Sequence, residues 1–168
     1  ADMAVLAISA PSGVELNTRK MWAAARALKM PVVIALTKMD AENIVDYDAL
    51  IARIQEVLGV ECLPANLPMG VGPAFKGVVS LIPAPAQPPA GVTGDIAAAS
   101  AALVDRIVEA DEALMERFLN DEKLSAEDLG GALRKAMASG AVVPILHCSG
   151  ASGLGVTELM DFLARYGI

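Results

Sequence analysis

Three short runs of apolar residues divide the chain, and each is too unbroken for a strand with one solvated face. They cover residues 3–9 (M-A-V-L-A-I-S), 31–36 (P-V-V-I-A-L) and 142–147 (V-V-P-I-L-H). Strands that are buried on both faces, as in a parallel sheet, show such runs instead of alternation. We therefore predict three parallel core strands.

Apolar residues at helical spacing follow these strands. The spacing predicts helices over residues 15–29, 47–58 and 156–166. The order strand, helix, strand over residues 3–36 is a βαβ unit, whose crossover is right-handed. The core is therefore predicted to be an α/β fold of three parallel strands with flanking helices.

The interval between the second and third strands has a different character. Residues 60–67 and 75–82 are predicted to form an antiparallel pair of strands across a Pro/Gly turn. A proline tract follows at residues 83–89. Two helices are predicted after it, one over residues 95–119 and one that begins after the N-cap Ser125. We interpret residues 60–140 as an inserted α+β subdomain. Residues 1–59 and 141–168 are then the core domain that carries it.

Composition narrows the function classes. The chain has 168 residues, 55% of them apolar, which is enough for one compact core. Its 13 Lys and Arg against 20 Asp and Glu give a net charge of −7, so we expect no direct binding of nucleic acid. The two cysteines, Cys62 and Cys148, have no C-x-x-C spacing, which favours a reducing, cytoplasmic setting without disulfides or a metal site. No apolar run reaches the ~20 residues that cross a bilayer, so we expect no membrane span.

A polar tetrapeptide follows the second predicted strand, at the end where open α/β sheets bind ligands. It consists of Thr37, Lys38, Met39 and Asp40. The Asp40 carboxylate is suited to accept two hydrogen bonds from a guanine edge, the Lys38 stem to lie over base and ribose, and Thr37 to brace a neighbouring loop. The alternative is a plain polar loop in which Asp40 caps the next helix.

A glycine-rich segment follows the third predicted strand in the same way, so both loops are expected at one sheet edge. It begins Cys148, Ser149, Gly150, Ala151. A backbone N–H of Gly150 or Ala151 is placed to donate to a guanine O6. The alternative is a flexible connection without a ligand. For the neighbouring His147 we favour a structural role at the strand end over contact with a ligand.

Taken together, the two loops resemble the base-reading motifs N-K-x-D and S-A-x of GTP-binding domains. The interval between them resembles the insert of the elongation factor G family, in L-P-A-N-L-P-M-G, F-K-G-V-V-S-L and D-E-A-L-M-E-R-F-L-N-D-E-K-L-S-A-E-D-L. The opening A-D-M-A-V-L-A-I-S-A-P-S-G-V-E-L-N-T-R-K-M-W resembles the strand and helix after the family's second switch region. The resemblance therefore covers almost the whole chain. Two departures are Thr37 in place of asparagine and Gly150 in place of alanine.

The resemblance implies the later part of a P-loop GTPase domain that binds GTP or GDP through Thr37, Lys38, Asp40, Ser149, Gly150 and Ala151. The chain contains no G-x-x-x-x-G-K-[ST], and no D-x-x-G outside the predicted helix that follows Ser125, so the motifs that hold phosphates and Mg²⁺ are missing after the core strands. We therefore expect Mg²⁺ in the intact parent but no ligands for it here, and a parent that is a GTPase whereas this chain alone is inactive. The resemblance further implies the ribosome and its stalk protein as partners.

Alternatives stay open at this point. The chain begins with Ala1-Asp2 and enters a core strand at once, so we expect a piece of a longer protein without a signal peptide. A first strand without its neighbours leaves a sheet edge that favours self-association. The runner-up function is a non-catalytic adaptor that binds a ribosomal or other protein, and a chance match of an unrelated α/β domain is the third.

Overall fold

A parallel sheet of four strands organises the structure, a computed structural model that describes residues 1–44, 46–120 and 122–167. In spatial order the strands are β1 (Ala4–Ser9), β2 (Val32–Thr37), β6 (Val143–His147) and β3 (Cys62–Pro64). All of β6, and β2 up to Leu36, are buried. This burial explains why both segments read as unbroken apolar runs.

Helices connect and cover these strands. They are α1 (Leu16–Ala27), α2 (Tyr47–Leu58) and α6 (Val156–Tyr166). Helix α1 links β1 to β2, which pair in parallel as the βαβ prediction requires. Helix α2 begins at the N-cap Asp46, whose carboxylate accepts the backbone N–H of Ala49 over 3.0 Å. The predicted α/β fold with a parallel sheet and flanking helices is confirmed.

The predicted strand at residues 60–67 is in fact two strands with different partners. Its first part is β3, which pairs with β6 in parallel, and its second part is β4 (Asn66–Pro68), which pairs antiparallel with β5 (Val78–Ser80). Ala65, between them, donates its N–H to Ile145 and accepts from Leu81. The sheet therefore has four parallel strands instead of the three predicted, because the pattern of a buried run does not reveal which strand lies beside it.

The remaining helices belong to the interval of residues 60–140. They are α3 (Ile96–Glu109), α4 (Glu112–Leu119) and α5 (Ala126–Ser139). The predicted single helix over residues 95–119 breaks at Asp111, whose carboxylate caps α4 by accepting the N–H of Leu114. The predicted N-cap Ser125 is confirmed, and it forms a capping box with Asp128.

One hydrophobic core joins the sheet to these helices. Leu103 and Ile107 of α3, and Leu133 and Met137 of α5, are almost fully buried and belong to the same cluster as Ile34 and Ile145 of the sheet. Burial of each such side chain stabilises the fold by about 1.5–3 kcal/mol. The division at residues 60 and 140 stays a prediction, because β3 falls inside the predicted insert and yet completes the core sheet. Among the described residues, no helix combines the length and apolarity needed to cross a membrane.

Candidate functional site

Two loops lie side by side at the carboxyl ends of β2 and β6. We call residues 37–41 the first loop and residues 148–155 the second loop. Leu36 lies opposite His147 in the sheet, and the N–H of Cys148 donates to Leu36 over 2.9 Å. The N–H of Met39 then donates to the carbonyl of Cys148 over 3.2 Å. The loops that the sequence placed at one sheet edge are thus joined directly by a hydrogen bond.

The backbone of the first loop is held in place by its neighbours, while the side chain of Lys38 is exposed. Thr37 is half-buried and donates from Oγ1 to the carbonyl of Ile8 over 3.2 Å, so it braces the loop against β1. Lys38 is exposed and has a φ of 59°, in the left-handed region that few non-glycine residues adopt. Met39 is fully buried and anchors the loop. Such strain in a loop is held in place by the surrounding packing.

Asp40 follows this anchor and is half-buried. Across the described residues, no protein group donates a hydrogen bond to its carboxylate and no cation pairs with it. The alternative that Asp40 caps the next helix does not hold, since Asp46 fills that role for α2. The two oxygens of this carboxylate are therefore available, one residue after the Met39 that is hydrogen-bonded to the second loop.

The second loop is shaped by Ser149. Its side chain is fully buried, and its Oγ accepts the N–H of Ser152 over 3.2 Å. Its backbone N–H donates to Leu154 over 2.8 Å, and its carbonyl accepts from Gly153 over 2.9 Å. The polar atoms of Ser149 thus form hydrogen bonds within the turn, so this residue holds the shape of the second loop.

Gly150 and Ala151 form the outer tip of this turn and are exposed. Within the described part of the chain, neither backbone N–H has an acceptor. A Cβ atom at Gly150 would meet nothing within 4 Å, so the departure from alanine at this position leaves the geometry of the turn unchanged. The second loop therefore offers two N–H groups without an acceptor in the described residues, and its Cys148 is hydrogen-bonded to Met39, the residue before Asp40.

Gly155 closes the second loop and begins α6. Its φ is 77°, and a Cβ atom there would lie 2.4 Å from the carbonyl oxygen of His147. Only glycine permits that close approach of two backbones. The sequence showed a glycine-rich loop but did not show which of its glycines is obligatory.

His147 lies directly before the second loop and is fully buried. The oxygen of the Asn66 side chain accepts its backbone N–H over 2.9 Å and lies 2.8 Å from Nδ1. Since this oxygen is an acceptor, Nδ1 carries the proton, and Nε2 accepts from the Tyr47 hydroxyl over 3.0 Å. Burial lowers the pKa of His147 to about 3, so the ring is neutral. The favoured structural role of His147 is confirmed.

The cysteines do not add a reactive group. Burial raises the pKa of the Cys148 thiol, and burial followed by the charge of Glu61 raises that of Cys62 to about 12. Both thiols therefore stay protonated and are poor nucleophiles. In the described ranges, no group of three or more His, Cys, Asp or Glu side chains is arranged to hold a metal ion.

A cavity of about 180 Å³ lies elsewhere, between the β4–β5 hairpin and α6. Its walls include Asn66 and Tyr166, and the Asn66 Nδ2 and the Tyr166 hydroxyl have no partner among the described residues. This volume suffices for several water molecules, at ~30 Å³ each, which would give both groups their hydrogen bonds. None of its lining residues belongs to either loop.

Comparison with known proteins bears on this site. Residues 1–167 match the protein family described as elongation factor Tu GTP binding domain. An elongation factor G-like protein of Thermotoga maritima is 28% identical, over 96% of this chain and 24% of its own length. A crystal structure of a protein from Thermus thermophilus superimposes with a TM-score of 0.83 at 27% identity, over 99% of this chain and 26% of that one. The resemblance drawn from the two motifs and the insert is confirmed, and the chain spans about a quarter of the length of these relatives.

Proposed function

Because the chain belongs to the GTP-binding domain family of elongation factor Tu, we propose that it forms the guanine-reading part of the nucleotide site in a larger elongation factor G-like GTPase. One observation carries the proposal: the hydrogen bond from Met39 to Cys148. It ties Met39, the residue before the unpaired Asp40, to the loop that carries the unpaired N–H groups of Gly150 and Ala151. Acceptor and donors are thus proposed to face one base at this sheet edge.

This arrangement complements the edge of guanine. The N1–H and the 2-amino group of guanine are donors suited to the Asp40 carboxylate, and O6 is an acceptor suited to the N–H of Gly150 or Ala151. Adenine presents an acceptor at N1 and a donor at its 6-amino group, so both ends of the site would face a group of the wrong kind. A buried mismatch of this sort costs about 1–3 kcal/mol for each unpaired group.

The other loop residues support the base. The Lys38 stem is exposed next to Asp40 and is proposed to cover the base and the ribose. Thr37, which stands where the resembling family has asparagine, is proposed to brace the loop through Ile8. Ser149 is proposed to act through the shape of the turn.

The chemistry of hydrolysis is proposed to lie outside these residues. The sequence has no phosphate-binding glycine loop with its lysine, and its one D-x-x-G, at residues 128–131, lies inside helix α5 and not after a strand of the sheet. The described residues also do not fit Mg²⁺, because they hold no suitable cluster of carboxylates. GTP hydrolysis and Mg²⁺ binding are therefore assigned to the intact parent, and this chain alone is expected to be inactive.

The parent is proposed to act in the cytoplasm at a step of protein synthesis on the ribosome. The acidic helices α3 and α4 are proposed to approach the ribosomal stalk protein, although Glu109 is already paired with Arg106 over 3.2 Å. Strand β1 pairs only with β2 in the described part of the chain, and Val5 is 48% exposed beside that open edge. Self-association of the isolated chain through β1 is therefore also proposed.

A nucleotide panel tests the proposal against the adaptor alternative. The full-length protein is titrated with GDP and with ADP, and the fluorescence of a competing labelled GDP is followed. Guanine reading predicts that GDP displaces the label and that ADP does not, by at least about a hundredfold in concentration. Equal displacement by both, or no binding of the label, would favour a non-catalytic adaptor.

A further inference from the structure

A second hydrogen bond holds the first loop, and it comes from the turn between β4 and β5. The N–H of Gly72 donates to the carbonyl of Met39 over 2.8 Å. This carbonyl belongs to the peptide group that links Met39 to Asp40. The core therefore holds the N–H of Met39 through Cys148, while the β4–β5 turn holds the carbonyl next to Asp40.

Gly72 is specialised for this contact. It is buried and has a φ of 63°, a left-handed conformation that glycine adopts without strain. A Cβ atom at this position would lie 3.2 Å from the carbonyl oxygen of Ala41. Gly72 thus lies against the backbone on both sides of Asp40, and any side chain would press on the loop.

The turn that carries Gly72 is tied to the hairpin. Phe75 is buried and donates its N–H to the carbonyl of Gly72 over 2.9 Å. Met69 donates to Gly77 and accepts from Lys76, both over 2.9 Å, which closes the base of the turn at the end of β4. The position of Gly72 therefore follows the position of the β4–β5 hairpin.

We propose that Gly72 is a positioning residue for guanine specificity, and that the turn at residues 69–77 sets the direction of the Asp40 carboxylate. This inference rests on the proposed function, in which Asp40 reads the base. Gly72 does not touch the nucleotide; it acts through the peptide group before Asp40. A displacement of the hairpin then changes the affinity for the base. By linkage, binding of the base stabilises the undisplaced position of the hairpin by the same coupling free energy.

The test uses the full-length protein with GDP and inosine diphosphate as probes. Inosine diphosphate lacks the 2-amino group and so loses one of the two hydrogen bonds to Asp40. The variant Gly72→Ala is compared with Gly91→Ala, in which the glycine is exposed, has a φ of 82° and would place its Cβ in open space. Both variants impose the same kind of backbone strain, but only Gly72→Ala presses on the first loop. A thermal melt checks that each variant folds.

The wild type and Gly91→Ala are expected to prefer GDP over inosine diphosphate by about fivefold or more, the effect of one hydrogen bond. Gly72→Ala is expected to reduce this preference below about twofold, because GDP binding weakens more than binding of inosine diphosphate. If Gly72→Ala does not fold, Gly72→Asn replaces it, since asparagine tolerates the left-handed region while its Cβ still meets Ala41.

A preference in the Gly72 variant equal to that of Gly91→Ala would overturn the inference while leaving the proposed function intact. A wild type that does not distinguish the two nucleotides would instead refute guanine reading by Asp40, and the inference with it.

Discussion

The side-chain oxygen of Asn66 accepts two hydrogen bonds from His147, one from the backbone N–H over 2.9 Å and one from the ring over 2.8 Å. Asn66 begins β4 and His147 ends β6, so this pair joins the hairpin to the sheet directly before the second loop. Replacement of Asn66 by alanine leaves two buried donors of His147 unpaired. We expect the free energy of unfolding of the 168-residue chain to fall by about 3 kcal/mol in a denaturant titration.

The matched control is Asn17→Ala, because Asn17 is exposed on α1. A change within about 0.5 kcal/mol is expected for this control. Equal effects of the two substitutions would show that the Asn66 network does not stabilise the chain.

The buried His147 predicts a dependence of stability on pH. Its native pKa is about 3 because of burial, whereas an unfolded histidine titrates near its ordinary value of 6.5. Below pH 6.5 the unfolded state therefore binds a proton that the native state does not bind. The free energy of unfolding falls as the pH falls toward 3. The slope approaches about 1.4 kcal/mol per pH unit between about pH 5.5 and pH 4, and disappears below the native pKa.

This chain has a single histidine, so the slope between pH 6.5 and 5 is assigned to one residue. Unfolding midpoints at several pH values, compared with those of His147→Gln, measure it. The variant is expected to be less stable at pH 7 and to have a flatter profile. Parallel profiles for the two proteins would contradict the assignment.

Two glycines of the second loop are predicted to differ sharply. Alanine at Gly150 meets open space, so the full-length protein should keep its GDP affinity within about twofold. Alanine at Gly155 would collide with the carbonyl of His147 and also requires a φ of 77°. We expect Gly155→Ala to lower the melting temperature and the GDP affinity together. Loss of affinity in Gly150→Ala with an unchanged melting temperature would mean that the tip of the loop does more than present its N–H groups.

The 168-residue chain alone is expected to bind GDP weakly or not at all. It offers contacts to the base, while most of the affinity for a nucleotide diphosphate comes from groups that hold the phosphates. Isothermal calorimetry with the isolated chain should show no saturable heat at micromolar concentrations. A micromolar Kd would place phosphate contacts within these residues. It would contradict the proposal that this chain contacts the base while the rest of the protein holds the phosphates.

The sequence predicted β2 and β6 well because burial on both faces leaves a continuous apolar run. The position of β1 was also predicted, but its predicted burial on both faces is wrong, since Val5 and Ala7 are exposed at the edge of the described sheet. Strands β1, β2 and β6, and helices α2 and α6, lie where the pattern placed them, within a residue or two. Strand β3 was not separated from β4, because the change of partner at Ala65 depends on hydrogen bonds to Ile145 and Leu81, which are distant in sequence. The break before α4 was missed for a local reason: Asp111 is a good N-cap, but the apolar spacing continues across it.

The two loops of the candidate site were predictable because each follows a buried strand. The parts that hold them were not. Gly72 is separated from Met39 by more than thirty residues, and Asn66 from His147 by 81. No local pattern connects such pairs. Ser149 also shows the limit, since the resemblance implied ligand contact, whereas its side chain is buried and accepts the N–H of Ser152 within the turn.

The measurement that tests guanine reading most directly is a change of base preference in the full-length protein upon Asp40→Asn. An asparagine side chain presents one acceptor and one donor where the carboxylate presents two acceptors. Xanthine carries an oxygen at position 2 in place of the amino group, so it matches the asparagine and mismatches the aspartate. Competition titrations with GDP and xanthosine diphosphate should show the wild type preferring GDP and Asp40→Asn preferring xanthosine diphosphate. A variant that keeps the wild-type preference for GDP would show that Asp40 does not read the base.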